Sequence, residues 1–294
     1  MFHTVTIVRR GLSLECRKID KPSGDNPMTT TVLERLFGIS GKVAVVTDKG
    51  RNSSIDIAPV LAEAGAKVVI ADHSAAHMQP VVDRILLAGG EAVAIETDVE
   101  REASVIALFE QVKATWGSPD IVVNSAAMTN NGPLTDFTEA AWDEVMSIDL
   151  KSVFFCMREA IKHMLVAGRG GRIVNVTTMG AMHAVLNGNG AYGAARAGVT
   201  GLARSAALDY ASEQILVNCV LPGAVPGKVQ FHPDMQARLK KGKLTGPGTD
   251  AERRLPLGWG DPADIAAAVL YLVGPSGRYM TGQSITLDGG FLIS

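Results

Sequence analysis

Seven short apolar runs recur along the chain from residue 41 onward, separated by longer segments of helical periodicity. The runs are rich in Val and Ile, and they are apolar at consecutive positions rather than at alternate ones. Consecutive apolar positions indicate strands buried on both faces, as in a parallel sheet covered by helices. The predicted strands span 42–47, 67–72, 91–98, 120–125, 172–177, 215–220 and 284–288.

The segments between most of these strands are long enough to form crossover helices. Helical patterns cover 55–65, 101–117 and 140–165, each between two predicted strands. Strands that alternate with helices of this length build a doubly wound sheet. The sequence therefore predicts an α/β fold with a single, Rossmann-type parallel sheet of about seven strands and helices on both faces.

Two segments fall outside this alternation. Residues 1–38 precede it, and their first 27 residues include five basic side chains and end in a Pro/Gly cluster. We expect 1–38 to be an extension that is disordered or not native, with a targeting peptide as the alternative. Residues 39–294 then form one domain. The stretch at about 223–260 is long and rich in Gly and Pro, which predicts a substrate lid.

Composition narrows the classes of function. The 294-residue chain is 47% hydrophobic and has a formal net charge of −2. This charge gives no general electrostatic attraction to nucleic acid or to anionic membranes. No apolar run is long enough to span a bilayer. The three cysteines are widely spaced, without the spacing of a metal site or a disulfide, so we expect a reduced cytoplasmic setting and no metal.

The turn after the first predicted strand does not decide whether the chain binds a nucleotide. It reads TDKGRNSS over residues 47–54, and it lacks the glycines that let a backbone approach a pyrophosphate. Asp48 adds a carboxylate where phosphate charge would lie, and Lys49 or Arg51 could offset it. Asp72 ends the second predicted strand, where an acid binds the adenine ribose and favours NAD over NADP.

Six further motifs follow in a fixed order. They are TDVE (97–100), VNSAA (123–127), GRIVNVTT (171–178), AYGAARAGVTGLARSAALDYA (191–211), VNCVLPGAV (217–225) and GWGDPADIAAAVLYLVGPSGRYMTGQSITLDGG (258–290). On these motifs, the chain from about residue 39 to 293 resembles the classical short-chain dehydrogenase/reductase family. The resemblance implies the same fold, and it bears less on chemistry, because one fold hosts many functions.

The resemblance implies a catalytic set that is altered here. Tyr192 is kept, the family's lysine is Arg196, and its helical asparagine is Asp149. The serine position corresponds to Thr178, one residue beyond the usual spacing to the tyrosine. Tyr192 would be the acid/base, its pKa lowered by Arg196, and Thr178 would hold the substrate oxygen. We expect Asp149 and Arg196 to form an ion pair. The alternative is that Asp149 faces water or caps a neighbouring turn and never meets Arg196.

The resemblance also implies substrate and cofactor positions. Met179 stands at the usual serine spacing, and His183 lies in the segment that lines the family's substrate pocket. NAD(H) is the expected cofactor, and the lost glycines count against its binding. The implied cofactor residues are Thr47, Gly50, Arg51, Ser54, Asp72, Asp98, Val99, Asn124, Pro222 and Gly223.

Three functions remain open from the residues. The first is an NAD(H)-linked oxidoreductase that interconverts an alcohol and a carbonyl on a small molecule. The second is a non-redox enzyme without nucleotide, similar to the halohydrin dehalogenases in its Tyr-x-x-x-Arg pair. The third is a catalytically inactive partner subunit. The family resemblance also implies a homo-oligomer, a dimer or tetramer, through helices 138–165 and 191–211.

Overall fold

A computed structural model describes residues 31–49, 54–225 and 245–294 of the chain. Their centre is a parallel sheet of seven strands in the order β3-β2-β1-β4-β5-β6-β7. The predicted doubly wound fold is therefore confirmed. The strands are β1 Val43–Thr47, β2 Lys67–Asp72, β3 Glu91–Glu96, β4 Ile121–Asn124, β5 Gly171–Val176, β6 Ile215–Pro222 and β7 Ser284–Leu287.

Helices cover both faces of this sheet. They are α1 Val32–Phe37, α2 Ser54–Glu63, α3 Ala75–Leu87, α4 Glu102–Trp116, α5 Glu139–Met146, α6 Ser152–Ala167, α7 Gly190–Tyr210, α8 Ala251–Arg254 and α9 Pro262–Val273. Successive side chains of a strand point to opposite faces. In β1, Val43 and Val45 thus pack with α4, α6 and α7, while Ala44 and Val46 pack with α2, α3 and α9. This double burial explains why the strands are continuously apolar.

The order of the strands places a crevice at the carboxyl ends of β1 and β4. The chain winds outward from β1 in both directions, and ligands of such sheets bind where the winding reverses. Thr47, Asn124 and Asn175 lie side by side there, in register on β1, β4 and β5. Three neighbouring strands thus carry polar side chains at or next to their carboxyl ends.

The helical pattern predicted over 140–165 is interrupted once. A π-helical turn, Ser147–Lys151, separates α5 from α6. Turns of this kind occur often at functional sites. Asp149 lies in this turn and is fully buried.

Parts of the predicted extension and lid are described. Helix α1 lies within the segment assigned to the extension, where Thr31 and Glu34 cap each other and Ser276 Oγ donates to Leu36 O at 2.8 Å. The packed part of the chain therefore begins before residue 39. Residues 1–30 and 226–244 lie outside the described residues. Within the predicted lid, Thr245 O accepts a hydrogen bond from Asn187 N at 2.8 Å.

Within residues 31–49, 54–225 and 245–294, no helix combines the length and the apolar character required to cross a membrane.

Candidate active site

Tyr192 lies at a cavity of about 220 Å³ beside the carboxyl ends of β5 and β6. It is 5% exposed and lies on the buried face of the first turn of α7. Thr178, Met179 and Gly223 line the same cavity. The rest of the wall is mostly apolar and includes Val185, Leu186, Ala224, Val225, Trp259 and Phe291. The cavity thus has three hydroxyl-bearing residues, Thr129, Thr178 and Tyr192, in a mostly apolar wall.

Beneath this cavity, Asp149 and Arg196 form a buried ion pair. Arg196 Nη2 lies 2.7 Å from Asp149 Oδ1, and the two side chains are 1% and 0% exposed. The predicted pairing is confirmed. Arg196 Nη2 also donates to Ala126 O at 2.8 Å, and Met128 N donates to Asp149 Oδ1 at 3.2 Å. The pair therefore joins α7 and the π-helical turn to the segment that follows β4.

The pair changes the proton affinity of the groups around it. Burial raises the pKa of the Asp149 carboxyl to about 6, although the Arg196 guanidinium pulls it down. The pKa of Tyr192 is also raised, first by burial and then by the Asp149 carboxylate, against the opposing effect of Arg196. The expected lowering of the tyrosine pKa by Arg196 is therefore wrong in its net direction. Burial and a second, negative neighbour outweigh the cation.

The two predicted substrate residues have different positions. Met179 is buried at the cavity wall, within the 3₁₀ turn Met179–Ala181. Thr178 precedes that turn, and its Oγ1 accepts a hydrogen bond from Gly180 N at 3.1 Å. This contact uses the hydroxyl as an acceptor, so its hydrogen can still be donated to a substrate oxygen. His183 is exposed and lines a neighbouring groove with Leu134, not the cavity of Tyr192.

Asp72 ends β2 with a carboxylate that is 1% exposed. Its Oδ1 accepts from Ser74 N and contacts His73 Nδ1, both at 2.9 Å. At the end of β3, Asp98 Oδ1 accepts from Glu100 N at 3.1 Å. The side chain of Val99 packs in the core beneath α4, so only its backbone could reach a ligand.

The turn between β1 and α2 is described at its two ends. Thr47 and Asp48 are buried, and Asp48 Oδ1 accepts from Lys49 N at 2.7 Å. The Asp48 carboxylate thus accepts the hydrogen bond of a backbone amide that could otherwise donate to a phosphate. Lys49 Nζ forms an ion pair with Glu100, so its positive charge does not compensate the charge of Asp48 alone. Gly50 and Arg51 lie outside the described residues, and Ser54 is described only as the first residue of α2.

The remaining cofactor candidates lie at the same edge of the sheet. Asn124 is buried, and its Nδ2 donates to Asn175 Oδ1 at 2.8 Å. Pro222 is the last residue of β6, and Gly223 N donates to Leu287 O at 2.8 Å. A Cβ at Gly223 would lie 2.7 Å from Asp288 Cα, so a side chain does not fit there.

Sequence reasoning missed several residues of this region. Asn175 is a buried amide inside the apolar run of β5, and that contrast alone could have marked it. Trp259 and Phe291 reach the cavity from distant parts of the chain. No local pattern identifies such residues, because only the folded sheet brings them to β5 and β6.

Comparisons with known proteins agree with this geometry. A family model described as enoyl-(acyl carrier protein) reductase matches residues 52–292. The cis-4-hydroxycyclohexanecarboxylate dehydrogenase of Sinomonas cyclohexanicum is 36% identical over 255 residues, which cover 85% of this chain and 96% of that protein. The 2-dehydro-3-deoxy-D-gluconate 5-dehydrogenase of Escherichia coli (strain K12) is 30% identical, with 87% and 97% covered.

A solved structure extends the agreement to three dimensions. The crystal structure of a dehydrogenase/reductase from Sinorhizobium meliloti 1021 has a TM-score of 0.78 at 33% identity. The match covers 88% of this chain and 98% of that one. By its family model, its relatives and its fold, the chain belongs to the short-chain dehydrogenase/reductase family of oxidoreductases.

Proposed function

We propose that this chain is an NAD(H)-dependent oxidoreductase that interconverts a carbonyl and an alcohol, with Tyr192 as the acid/base. The observation that carries the proposal is the position of Tyr192. It shares a cavity with Thr178 at the carboxyl edge of the sheet and is supported from below by the Asp149–Arg196 pair. Ligands of doubly wound sheets bind at this edge.

The described residues fit a nicotinamide cofactor better at its ribose end than at its phosphates. Asp72 is buried at the end of β2, where a carboxylate accepts hydrogen bonds from ribose hydroxyls and repels a 2′-phosphate. The amino end of α2 favours an anion, whereas Asp48 opposes one. The cofactor, when bound, supplies or accepts the hydride. We therefore expect binding that is selective for NAD(H) and weaker than a glycine-rich turn would give.

Tyr192 is in the protonated form that carbonyl reduction requires. A phenol whose pKa is above its ordinary value stays protonated at neutral pH, so its Oη donates a proton to a carbonyl oxygen. Thr178 Oγ1 holds that oxygen by a second hydrogen bond. Oxidation of an alcohol needs the opposite transfer, to a tyrosinate. Near neutral pH the free chain therefore carries the proton that carbonyl reduction needs, while the equilibrium between ketone and alcohol is set by the substrates and the cofactor.

Arg196 cannot act as a proton relay. A guanidinium does not deprotonate in proteins, and this one is held by Asp149 and Ala126 O. Tyr192 must therefore regain its proton from water that enters the cavity. Arg196 acts on Tyr192 through its charge, with its Cζ 5.5 Å from the centre of the tyrosine ring.

The cavity wall indicates the class of substrate. Its side chains are mostly apolar, and its volume of about 220 Å³ accommodates a small ring or short chain around the reacting carbon. One relative is named for its action on a hydroxylated cyclohexanecarboxylate. We propose cyclic ketones and the corresponding secondary alcohols as the substrates to test first.

The dehalogenase-like alternative receives less support. That chemistry uses an arginine to lower the tyrosine pKa, whereas the pKa of Tyr192 is raised here by burial and by Asp149. Asp149 also neutralises much of the field of Arg196. An inactive partner subunit, the third possibility, would show no turnover with any carbonyl and either cofactor.

Calorimetric titration with NADH and NADPH tests the cofactor. We expect NADH to bind and NADPH to bind much more weakly. Asp72→Asn should narrow this difference, since it removes the charge that repels the 2′-phosphate, whereas Asp83→Asn on the exposed face of α3 should not. Equal affinities in the wild-type chain would remove the role given to Asp72. No binding of NADH at saturation would overturn the NAD-linked function.

We also propose that the chain forms a homo-oligomer through α6 and α7. Phe154, Leu165 and Val166 on α6 and Leu208 on α7 are exposed. A groove of about 320 Å³ lies between the two helices. Val166→Glu should lower the mass measured by analytical ultracentrifugation, whereas Leu87→Glu, an equally exposed position on α3, should not. A monomeric wild-type chain would contradict this proposal.

A further inference from the structure

Three side chains that commonly bind metals meet at the end of β2. Asp72 is the last residue of that strand, His73 follows it, and His77 lies in the first turn of α3. Their ligand atoms all lie within 4.8 Å of one another. Among residues 31–49, 54–225 and 245–294, this is the one group of three His, Cys, Asp or Glu side chains found to come together in this way.

The spacing of the atoms is close to that of a zinc site. Asp72 Oδ1 lies 2.9 Å from His73 Nδ1 and 3.4 Å from His77 Nδ1. Tetrahedral Zn²⁺ binds nitrogen and oxygen at about 2.0–2.1 Å, so neighbouring ligand atoms are about 3.3 Å apart. One distance already matches, and the other must lengthen by a few tenths of an ångström. Rotation of the half-exposed His73 side chain can provide that change.

His77 Nδ1 provides a second, independent observation. This atom is buried, yet it makes no hydrogen bond with the described residues. A buried polar atom without a partner costs free energy, so such atoms usually have a role or an additional ligand. Asp72 Oδ1 lies 3.4 Å from His77 Nδ1, which is within ion-pair range but does not make a hydrogen bond. A metal ion bound to both imidazoles and the carboxylate would give His77 Nδ1 its missing partner.

The burial of the three residues also suits an ion. Asp72 is 1% exposed, while the side chains of His73 and His77 are 48% and 30% exposed. The carboxylate thus forms the floor of the site and the two imidazoles form its open rim. An ion can enter from solvent and keep water in its fourth position. Two imidazoles and one carboxylate are the ligands of many zinc sites and suit other late transition metals.

We propose that Asp72, His73 and His77 form a binding site for a divalent transition-metal ion such as Zn²⁺. Sequence spacing alone predicts no such site, because the ligands come from a strand, a turn and a helix. The metal site itself does not depend on the reaction catalysed. A consequence does rest on the proposed function: Asp72 cannot bind both the metal and the cofactor ribose. The ion and NAD(H) therefore compete.

The first experiment is a calorimetric titration of the full chain, free of any histidine tag, with Zn²⁺. We expect one ion per chain, and His73→Ala or His77→Ala should weaken binding by at least about 100-fold, since each removes a ligand. His183→Ala, which removes an exposed histidine elsewhere, should bind as the wild type does. Mg²⁺ should not bind, because it prefers oxygen ligands. No Zn²⁺ binding, or equal binding by all variants, would overturn the site.

Two further measurements keep this test decisive. Thermal unfolding without metal shows whether both histidine variants remain folded, because each loses a contact to the buried Asp72 carboxylate. If a variant is unstable, the visible spectrum of the wild-type chain with bound Co²⁺ takes the place of the variant titration. We expect the spectrum of a tetrahedral Co²⁺ ion with nitrogen and oxygen ligands. A spectrum of hexahydrated Co²⁺ would overturn the proposal.

The competition is tested with chain loaded with one equivalent of Zn²⁺ and freed of excess ion. The Kd for NADH should rise by about tenfold or more relative to the metal-free chain, and it should not change for His77→Ala. If NADH binds equally well with and without Zn²⁺, the competition is wrong and the metal site stands. If NADH binds to neither form, the proposed cofactor is wrong, while the Zn²⁺ titration still decides the metal site.

Discussion

Arg196 Nη2 lies 2.7 Å from Asp149 Oδ1, and almost no part of either side chain reaches solvent. An ion pair with this little exposure is hardly screened by water or salt, so its two charges act strongly on their neighbours. Tyr192, the proposed acid/base, is one such neighbour. Arg196 favours its tyrosinate form, and Asp149 favours its neutral form. The Asp149 carboxylate and the Arg196 guanidinium thus act in opposite directions on the pKa of Tyr192.

The substitution Asp149→Asn should lower the pKa of Tyr192. It removes the carboxylate that raises this pKa and leaves the charge of Arg196 uncompensated. Tyrosinate absorbance measures the effect, with the signal of Tyr192 obtained as the difference from the same chain carrying Tyr192→Phe. Asp143→Asn, at an exposed site on α5, should leave the titration unchanged. An unaltered pKa in the Asp149→Asn chain would show that the carboxylate does not act on the tyrosine.

The same carboxyl group should make stability depend on pH. Its pKa is about 6 in the folded chain against 3.8 for an ordinary Asp. The folded chain therefore holds this proton more tightly than the unfolded chain does. The contribution to stability is present below the unfolded pKa and is lost as the pH rises through about 6. Two pKa units correspond to about 3 kcal/mol.

Urea unfolding of the wild type and of Asp149→Asn isolates this contribution. The asparagine does not titrate, so the difference between the two free energies of unfolding reports on Asp149, while other acids cancel. We expect the wild type to lose stability relative to the variant between about pH 4 and pH 7. A difference that is constant over this range would contradict the raised pKa of Asp149.

Much of the fold follows from local patterns. All seven strands lie within two residues of their predicted bounds, because burial on both faces demands continuous apolar runs. The break at Ser147–Lys151 was not predicted, since a π-helical turn changes the hydrogen bonding without changing the apolar pattern. The helix Val32–Phe37 lies where the sequence predicts only an extension. Its packing depends on Ser276, which is far away along the chain.

The site could be predicted less completely, and the reason is electrostatic. Its residues and the Asp149–Arg196 contact follow from the motifs, yet the direction of the Tyr192 pKa depends on how deeply the phenol is buried. Burial cannot be read from the spacing of two residues on one helix. The position of His183 shows a similar limit. It lies between Thr178 and Tyr192 in the chain, but the 3₁₀ turn brings Met179 to the cavity instead.

Tyr192→Phe should abolish most of the carbonyl reductase activity. The phenylalanine keeps the ring against α5 and the π-helical turn but removes the proton donor, so we expect a loss of about 100-fold or more in kcat. NADH binding should persist, which separates the loss of chemistry from a loss of fold. Tyr210→Phe, at the far end of the same helix, serves as the matched control. Full activity of the Tyr192→Phe chain would place the acid/base elsewhere.

Asp48→Gly should strengthen the binding of NADH. Asp48 is buried at the start of the turn after β1, and its carboxylate accepts the hydrogen bond of Lys49 N. Glycine would remove a negative charge from the place where the pyrophosphate is expected and would leave that amide available as a donor. Two like charges a few ångströms apart repel by 1 kcal/mol or more even in water, so we expect a gain in affinity of about tenfold.

A second variant separates the charge of Asp48 from its bulk. Asp48→Asn keeps the size of the side chain and an oxygen that can accept from Lys49 N, but it carries no charge. If repulsion limits binding, the asparagine chain should recover most of the affinity that the glycine chain gains. If the side chain blocks the approach of phosphate, only glycine should bind NADH more tightly. Glu63→Gln, an exposed change at the far end of α2, should have no effect in the same calorimetric titration. Unchanged affinity in both Asp48 variants would show that this residue is not what weakens the nucleotide site.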